Sequence, residues 1–163
     1  MANPPDLSSL AAAIRTKILS DVDDARTRQL GARIIQEYNV PARDMRKLAR
    51  AVQLFAQRIK FFREYPEVNA APWVTADWGI GDCDDKSRLI AAILKSFRIP
   101  VRLIYVTFRK KGNAQAVSHV YPEVQLDGQW LAMESVQPYP LGKSPLKVMD
   151  ERGYPYTFFV SEI

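Results

Sequence analysis

The sequence predicts an α+β fold in which helices come first and a mainly antiparallel sheet follows, packed on a central helix. Two observations predict this fold. Apolar residues recur at helical spacing in the N-terminal part, and they alternate in short strand-like runs after Pro100. Asp127-Gly128, between two of these runs, is a dipeptide typical of a tight hairpin turn. With 163 residues, we expect a single domain at 1–163, with a helical part at 1–65 and an α+β core at 66–163.

Three helices are predicted in the N-terminal part. The first begins after Asp6, an N-cap candidate, and the second runs from about residue 21 to residue 38. The third follows the Asn39-Val40-Pro41 break, with Pro41 suited to its first turn. Its apolar positions step by three and four along one helical face: Met45, Leu48, Val52, Phe55, Ile59 and Phe62.

The opposite face of this third helix is basic. Net charge is +5 and the sequence pI is about 9.4, which favours acidic partners. The aromatic residues fall on the apolar stripe and make no stacking surface, so the pattern does not favour nucleic-acid binding. We interpret helix 41–65 as a solvated face or as a docking surface for an acidic protein. Its basic residues are Arg43, Arg46, Lys47, Arg50, Arg58, Lys60 and Arg63.

Residues 66–81 are predicted to form a loop, because prolines and glycines punctuate this segment. The loop contains Trp73 and Trp78. Large aromatic residues in a loop either anchor it in the core or line a binding groove. Trp73 and Trp78 are therefore candidate substrate-binding residues beside Cys83.

A central helix is predicted to begin after Asp82 and to end before Arg98-Ile99-Pro100. Strands are predicted at 101–108, 116–126, 129–136 and 156–160, and residues 137–153 are rich in Pro and Gly. If Asp127-Gly128 is the hairpin turn, Tyr121 pairs with Glu134 and His119 pairs with Val136. His119 and Glu134 are then diagonal neighbours on one face, roughly 7–8 Å apart at the backbone.

The chain has one cysteine and one histidine, and both lie in segments typical of a reaction site. Asp82 as N-cap and Asp85 as the reciprocal acid of a capping box place Cys83 in the first turn of the central helix. A thiol, an imidazole and a carboxylate on successive elements match a nucleophile, a base and an orienting group. Cys83, His119 and Glu134 are therefore a candidate catalytic triad.

The three acids beside Cys83 work against thiolate formation. The helix dipole stabilises a thiolate by roughly 0.3–1 kcal/mol, whereas Asp82, Asp84 and Asp85 disfavour a further negative charge. The site makes electrostatic sense only if His119 approaches the sulfur. The same acids are weak calcium candidates, because hard cations take carboxylate oxygens, but their spacing lacks an EF-hand pattern. No other metal and no cofactor are predicted.

Three stretches of the sequence resemble the transglutaminase-like superfamily of papain-related thiol enzymes. The resemblance implies that Cys83 is the nucleophile and His119 the general base, while Glu134 stands where the family usually has Asp. It implies a peptidase-like hydrolase or acyltransferase acting on amide bonds of a peptide or protein. The stretches are Gly81-Asp-Cys-Asp-Asp-Lys-Ser with its helix and Ile99-Pro-Val-Arg, then Ser118-His-Val-Tyr-Pro-Glu-Val, then Gly128-Gln-Trp-Leu-Ala-Met-Glu.

A non-catalytic alternative follows from the same resemblance. The superfamily includes scaffolds without activity, and short chains with Gly-Asp-Cys-Asp-Asp resemble proteins of tailed bacteriophages and prophages. The alternative function is a structural or docking protein such as a virion component. The N-terminus has no secretory signal pattern and the chain has no apolar run of membrane-spanning length. We therefore expect no membrane association, and a cytoplasmic location, or a virion if the protein is phage-encoded.

Overall fold

The structure, a computed structural model, describes residues 6–63 and 69–163. Within these ranges, six helices and six strands form the predicted α+β fold. The helices are α1 (Leu7–Val22), α2 (Ala25–Glu37), α3 (Met45–Arg58), α4 (Pro72–Trp78), α5 (Cys83–Ser96) and α6 (Pro145–Arg152). The strands are β1 (Lys60–Phe61), β2 (Ile80–Gly81), β3 (Val101–Arg109), β4 (Ala116–Leu126), β5 (Gln129–Ala132) and β6 (Tyr156–Glu162).

Helix α5 lies between the N-terminal helices and the main sheet. The sheet has the order β5-β4-β3-β6, and all of its neighbouring strands are antiparallel. One hydrophobic cluster joins residues of α1, α2, α3, α5 and one face of the sheet, including Ile14, Ile34, Val52, Ile93 and Leu103. The predicted boundary at 65/66 falls in residues 64–68, outside the described part of the chain. No helix in the described ranges is long and apolar enough to cross a membrane.

Helix α3 is shorter than the predicted helix 41–65. Pro41 lies outside it, because the side chain of Asp44 accepts a hydrogen bond from Lys47 N and caps the helix there. The helix ends at Arg58, and the following residues form a short parallel pair with β2. Lys60 N–H donates to Gly79 O at 2.9 Å, and this bond requires extended backbone where the periodicity predicted helix.

The predicted loop at 66–81 contains helix α4 and strand β2. Pro72 stands in the first turn of α4, where its missing N–H costs no hydrogen bond. Gly79 follows the helix with a φ of +66°, a left-handed conformation that favours glycine. The proline and glycine that predicted a loop therefore mark the two ends of a short helix. Residues 66–68 of the predicted loop lie outside the described residues.

The predicted hairpin is confirmed near its turn and wrong at its far end. Leu126 pairs with Gln129, as predicted, but the ladder stops at the pair of Glu123 with Ala132. Pro122 causes this early end, because a proline has no N–H to give to the facing strand. The predicted pairs of Tyr121 with Glu134 and of His119 with Val136 are therefore not formed. Two other differences are that α6 occupies part of the predicted irregular segment 137–153 and that β6 extends to Glu162.

Candidate active site

Cys83 is the first residue of α5, as predicted. The carboxylate of Asp82 accepts hydrogen bonds from Asp84 N and Asp85 N, and the Asp85 carboxylate accepts one from Asp82 N. This capping box leaves the N–H of Cys83 outside its hydrogen bonds. Gly81 precedes the box because a Cβ there would lie 3.0 Å from side-chain carbons of Asp85 and Thr75. The Gly-Asp-Cys-Asp-Asp sequence thus forms a local N-terminal cap that makes Cys83 the first residue of the helix.

The thiol lies against strand β4 at the point where β5 leaves the sheet. Met133 N–H donates to Pro122 O at 2.8 Å, so the carbonyl of residue 122 points towards β5. Val120, two residues away, points its backbone the same way but has no strand partner there. Helix α5 takes its place: Ser87 Oγ donates to Val120 O at 3.3 Å, and the Val120 backbone hydrogen-bonds the Cys83 sulfur. Because β5 ends early, Cys83 lies beside Val120, the residue that follows His119.

The imidazole of His119 and the carboxylate of Glu134 are directly bonded. His119 Nε2 lies 2.6 Å from Glu134 Oε2, although Glu134 follows β5 and is not part of a strand. With Nε2 facing a carboxylate, it is the protonated nitrogen of the neutral ring, and Nδ1 is the nitrogen left to accept a proton. The sequence-based expectation that these two residues are neighbours is met, by a route that does not need the predicted strand pairing.

Glu134 is buried, at 1% exposed, and both oxygens of its carboxylate have hydrogen-bond partners. Its other oxygen, Oε1, accepts hydrogen bonds from Val136 N at 2.6 Å and Gln137 N at 3.3 Å. Burial alone would raise the pKa of Glu134, but the hydrogen bond and charge of His119, with the two backbone N–H groups, hold the pKa below its ordinary value. The carboxylate is therefore ionised at neutral pH and can stabilise an imidazolium.

Cys83 is half-buried and is held as a neutral thiol. Burial raises the pKa of Cys83 well above its ordinary value, and the charges of Asp84, Asp82 and Glu134 raise the pKa further. The hydrogen bond from the Val120 backbone opposes them without reversing the result. The expectation that neighbouring acids disfavour the thiolate agrees with this geometry. Any reaction of the sulfur then requires that a base remove its proton during attack.

Comparison with known proteins places this chain in a family. Residues 28–135 match the family described as the transglutaminase-like superfamily, and the match covers more than half of the chain and includes Cys83, His119 and Glu134. The chain belongs to the transglutaminase-like superfamily. No curated protein sequence matches it.

Solved structures are also similar to this chain. One is a protein from Cytophaga hutchinsonii named as a "putative cysteine protease", with a TM-score of 0.52 and 15% identity. The match covers 90% of this chain and 53% of that protein, so the chain spans about half the length of this relative. A structure named as a TGase has a TM-score of 0.45 and 15% identity, covering 83% of this chain and 38% of that one. At these identities the first supports the fold alone, and the second is too distant to add to it.

The two tryptophans of this superfamily member differ in their surroundings. Trp73 is half-buried, and the guanidinium of Arg26 lies 3.8 Å from the centre of its ring. Trp78 ends helix α4 and is 58% exposed. The core-anchor alternative is therefore wrong for Trp78. The substrate-binding role of Trp73 and Trp78 stays a prediction.

Asp82 and Asp85, beside Cys83, accept hydrogen bonds from backbone N–H groups. Besides the capping box, Asp85 Oδ1 accepts a hydrogen bond from Ala70 N at 2.6 Å and so ties the chain before α4 to α5. Across residues 6–63 and 69–163, no three His, Cys, Asp or Glu residues are arranged to hold a metal ion. Calcium binding at Asp82, Asp84 and Asp85 stays a prediction from the sequence that this geometry does not support.

The basic face of α3 is partly neutralised within the chain. Arg58 lies 2.7 Å from Glu37, Arg46 lies 3.5 Å from Asp127, and Lys47 lies 3.9 Å from Asp44. The docking of an acidic protein on this surface stays a prediction. Residues 64 and 65 of the predicted basic helix lie outside the described residues.

Sequence reasoning missed the polar residues that surround the candidate triad. Lys86 is 1% exposed, and its Nζ donates to Ile59 O at 2.5 Å and to Ser135 O at 3.3 Å. Burial lowers the pKa of Lys86, and the charges of Glu134 and Cys83 oppose that shift. A lysine on the otherwise apolar face of the central helix was the signal that could have revealed it. Gln53 and Gln57 carried no such signal, because their partners are distant in sequence.

Proposed function

We propose that the protein is a thiol hydrolase or acyltransferase that acts on amide bonds of a peptide or protein. Cys83 and His119 are its catalytic residues and Glu134 is the orienting carboxylate. The observation that carries this proposal is the 2.6 Å bond between His119 Nε2 and Glu134 Oε2, on the strand against which Cys83 lies. Membership of the transglutaminase-like superfamily supports the same chemistry.

The proposed reaction proceeds in two halves. His119 Nδ1 takes the thiol proton while the Cys83 sulfur attacks the amide carbonyl carbon, and the Cys83 N–H donates to the resulting oxyanion. The carbon–nitrogen bond breaks, the imidazolium returns its proton to the leaving amine, and a thioester remains on Cys83. Water or an amine then attacks the thioester and gives its proton to His119, and the sulfur leaves and takes that proton back from the imidazolium. Water gives hydrolysis and an amine gives acyl transfer.

A structural or docking protein, such as a virion component, is the second candidate function. One observation favours it: the pKa of Cys83 is raised by burial and by its acidic neighbours, whereas many thiol enzymes hold a thiolate at rest. Under this alternative, Cys83 fills space at the start of α5, and the His119–Glu134 bond only stabilises the fold.

Alkylation of the single cysteine separates these two functions. If His119 acts as a base, iodoacetamide should react with Cys83 at pH 7 about 100-fold faster in the wild type than in His119→Ala. The difference should shrink as the pH rises towards the raised pKa of the thiol, since free thiolate then forms without a base. Rates would be measured by mass spectrometry over a range of pH, with Ser118→Ala as the neighbouring control. Overlapping profiles for wild type and His119→Ala would favour the structural protein.

Shortening Glu134 tests whether the site is built around its length. Glu134→Asp withdraws the carboxylate by about 1.5 Å from a bond that is now 2.6 Å, so turnover should fall by about 100-fold. Glu134→Gln should cost less than the loss of Cys83, because an amide can hold the ring although it cannot stabilise its charge. Turnover would be followed by peptide cleavage and by incorporation of a fluorescent primary amine. Higher activity in Glu134→Asp would instead indicate a partly decayed site.

A further inference from the structure

Residues 133–139 carry Glu134 across the back of the site without a strand partner. After β5 ends at Ala132, the carbonyl groups of this segment, which we call the carboxylate loop, no longer meet a β-ladder. Buried carbonyl groups need donors, because an unpaired one loses its bonds to water without compensation. Side chains from two helices supply these donors.

Two glutamines of α3 take the carbonyls at the start and end of the carboxylate loop. Gln53 Nε2 donates to Glu134 O at 3.0 Å and to Tyr139 O at 3.2 Å. Gln57 Nε2 lies 2.9 Å from each of the same two oxygens. The glutamines are four residues apart and so lie on one face of the helix. Gln53 is 2% exposed and its bond to Glu134 O is buried, whereas the bonds of Gln57 are partly buried.

Gln53 and Gln57, which we call the glutamine clamp, fix the backbone of Glu134, the residue whose side chain is bonded to His119. Glu134 Oε2 meets His119, Oε1 meets the N–H groups of Val136 and Gln137, and its own carbonyl is held by the two glutamines. Both its main chain and its side chain are therefore specified by hydrogen bonds. Helix α3 lies about 80 residues earlier in the chain, since the Gln53–Glu134 bond spans 81 positions.

We propose that Gln53 and Gln57 are positioning residues that set Glu134 against His119, which makes helix α3 a working part of the site. This proposal rests on the proposed function, in which Glu134 orients the base. It assigns α3 a role different from partner docking through its basic face. Without the two donors, the carboxylate loop moves towards solvent and the carboxylate no longer selects one tautomer of the imidazole.

The single histidine makes this testable without a substrate. In ¹H–¹⁵N spectra of wild type, recorded at a pH high enough for the ring to be neutral, the His119 signals should be those of a ring protonated at Nε2 and bare at Nδ1. In the double variant Gln53→Met/Gln57→Met, which keeps volume but removes the donors, the spectrum should change to a mixture of tautomers. Turnover in the double variant should fall by about 100-fold. Gln36→Met, at an exposed position of α2, is the matched control and should retain the wild-type spectrum.

Circular dichroism and thermal melting establish that each variant is folded. If the double variant does not fold, Gln57→Met alone retains Gln53 and should show a smaller change of the same kind. A folded double variant, or a folded Gln57→Met, with the wild-type tautomer would overturn the proposal. The outcomes also separate the two proposals. If the wild type shows no turnover but the double variant shows the tautomer change, the proposed enzyme activity is refuted and the role of the glutamine clamp is kept. If the double variant retains both turnover and the wild-type tautomer, only the role of the clamp is refuted.

Discussion

Cys83→Ala and His119→Ala should each lower turnover by at least about 1,000-fold, and the double variant should be hardly worse than either single variant. The reason is that the resting thiol is neutral, so the sulfur cannot attack without the imidazole and the imidazole has no other nucleophile to activate. Because the chain has one cysteine and one histidine, each substitution removes that chemistry completely. Strong non-additivity is the signature of groups that act as one unit.

The measurement requires a substrate screen that does not assume the acceptor. A mixed peptide library analysed by mass spectrometry detects new termini, and a fluorescent primary amine detects acyl transfer. Cys83→Ser separates the need for sulfur from the need for any small polar side chain, and Ser118→Ala controls for a change on strand β4. Product formation by folded Cys83→Ala at the wild-type rate would contradict the proposed function.

Asp21→Ala should lower the free energy of unfolding by about 3–5 kcal/mol, the largest stability loss that we expect from one polar substitution. Asp21 of α1 and Arg88 of α5 form a two-bond ion pair, with Nε–Oδ2 at 2.6 Å and Nη2–Oδ1 at 2.9 Å. They are only 4% and 8% exposed. Removing the carboxylate leaves the Arg88 guanidinium buried without its counter-charge, and the loss corresponds to a melting temperature lower by roughly 6–20 °C.

An exposed ion pair of the same chain provides the control. Arg58 and Glu37 lie 2.7 Å apart, but their side chains are 58% and 39% exposed, so Glu37→Ala should cost about 0–1 kcal/mol. Chemical denaturation of the two variants gives the comparison directly. Equal losses would show that the buried pair contributes no more than a solvated one. Asp21→Leu/Arg88→Met should recover much of the loss, since it removes both charges together.

Local patterns in the sequence predicted the parts of the site that are built from neighbouring residues. The start of α5 at Cys83 follows from the capping box of Asp82 and Asp85, whose members lie three residues apart. The hairpin register near Asp127-Gly128 follows from a two-residue turn with positive φ at both positions. These interactions join residues that are close in sequence and therefore close in space in any fold. Their residue types alone were enough to predict the local structure.

Only the tertiary structure decided where β5 ends, how Cys83 sits against Val120 and which side chains hold Glu134. The bonds of Gln53 to Glu134, of Lys86 to Ser135 and of Arg88 to Asp21 join residues 81, 49 and 67 positions apart. A buried polar group must find a partner, but nothing in its local sequence says which distant carbonyl or carboxylate will be that partner. The sequence by itself predicted the candidate reactive residues and the elements that carry Cys83 and His119, but it placed Glu134 in a strand that ends at Ala132. The tertiary structure determined the raised pKa of Cys83, the lowered pKa of Glu134 and the side chains that hold Glu134, because burial and long-range hydrogen bonds exist only once the chain has folded.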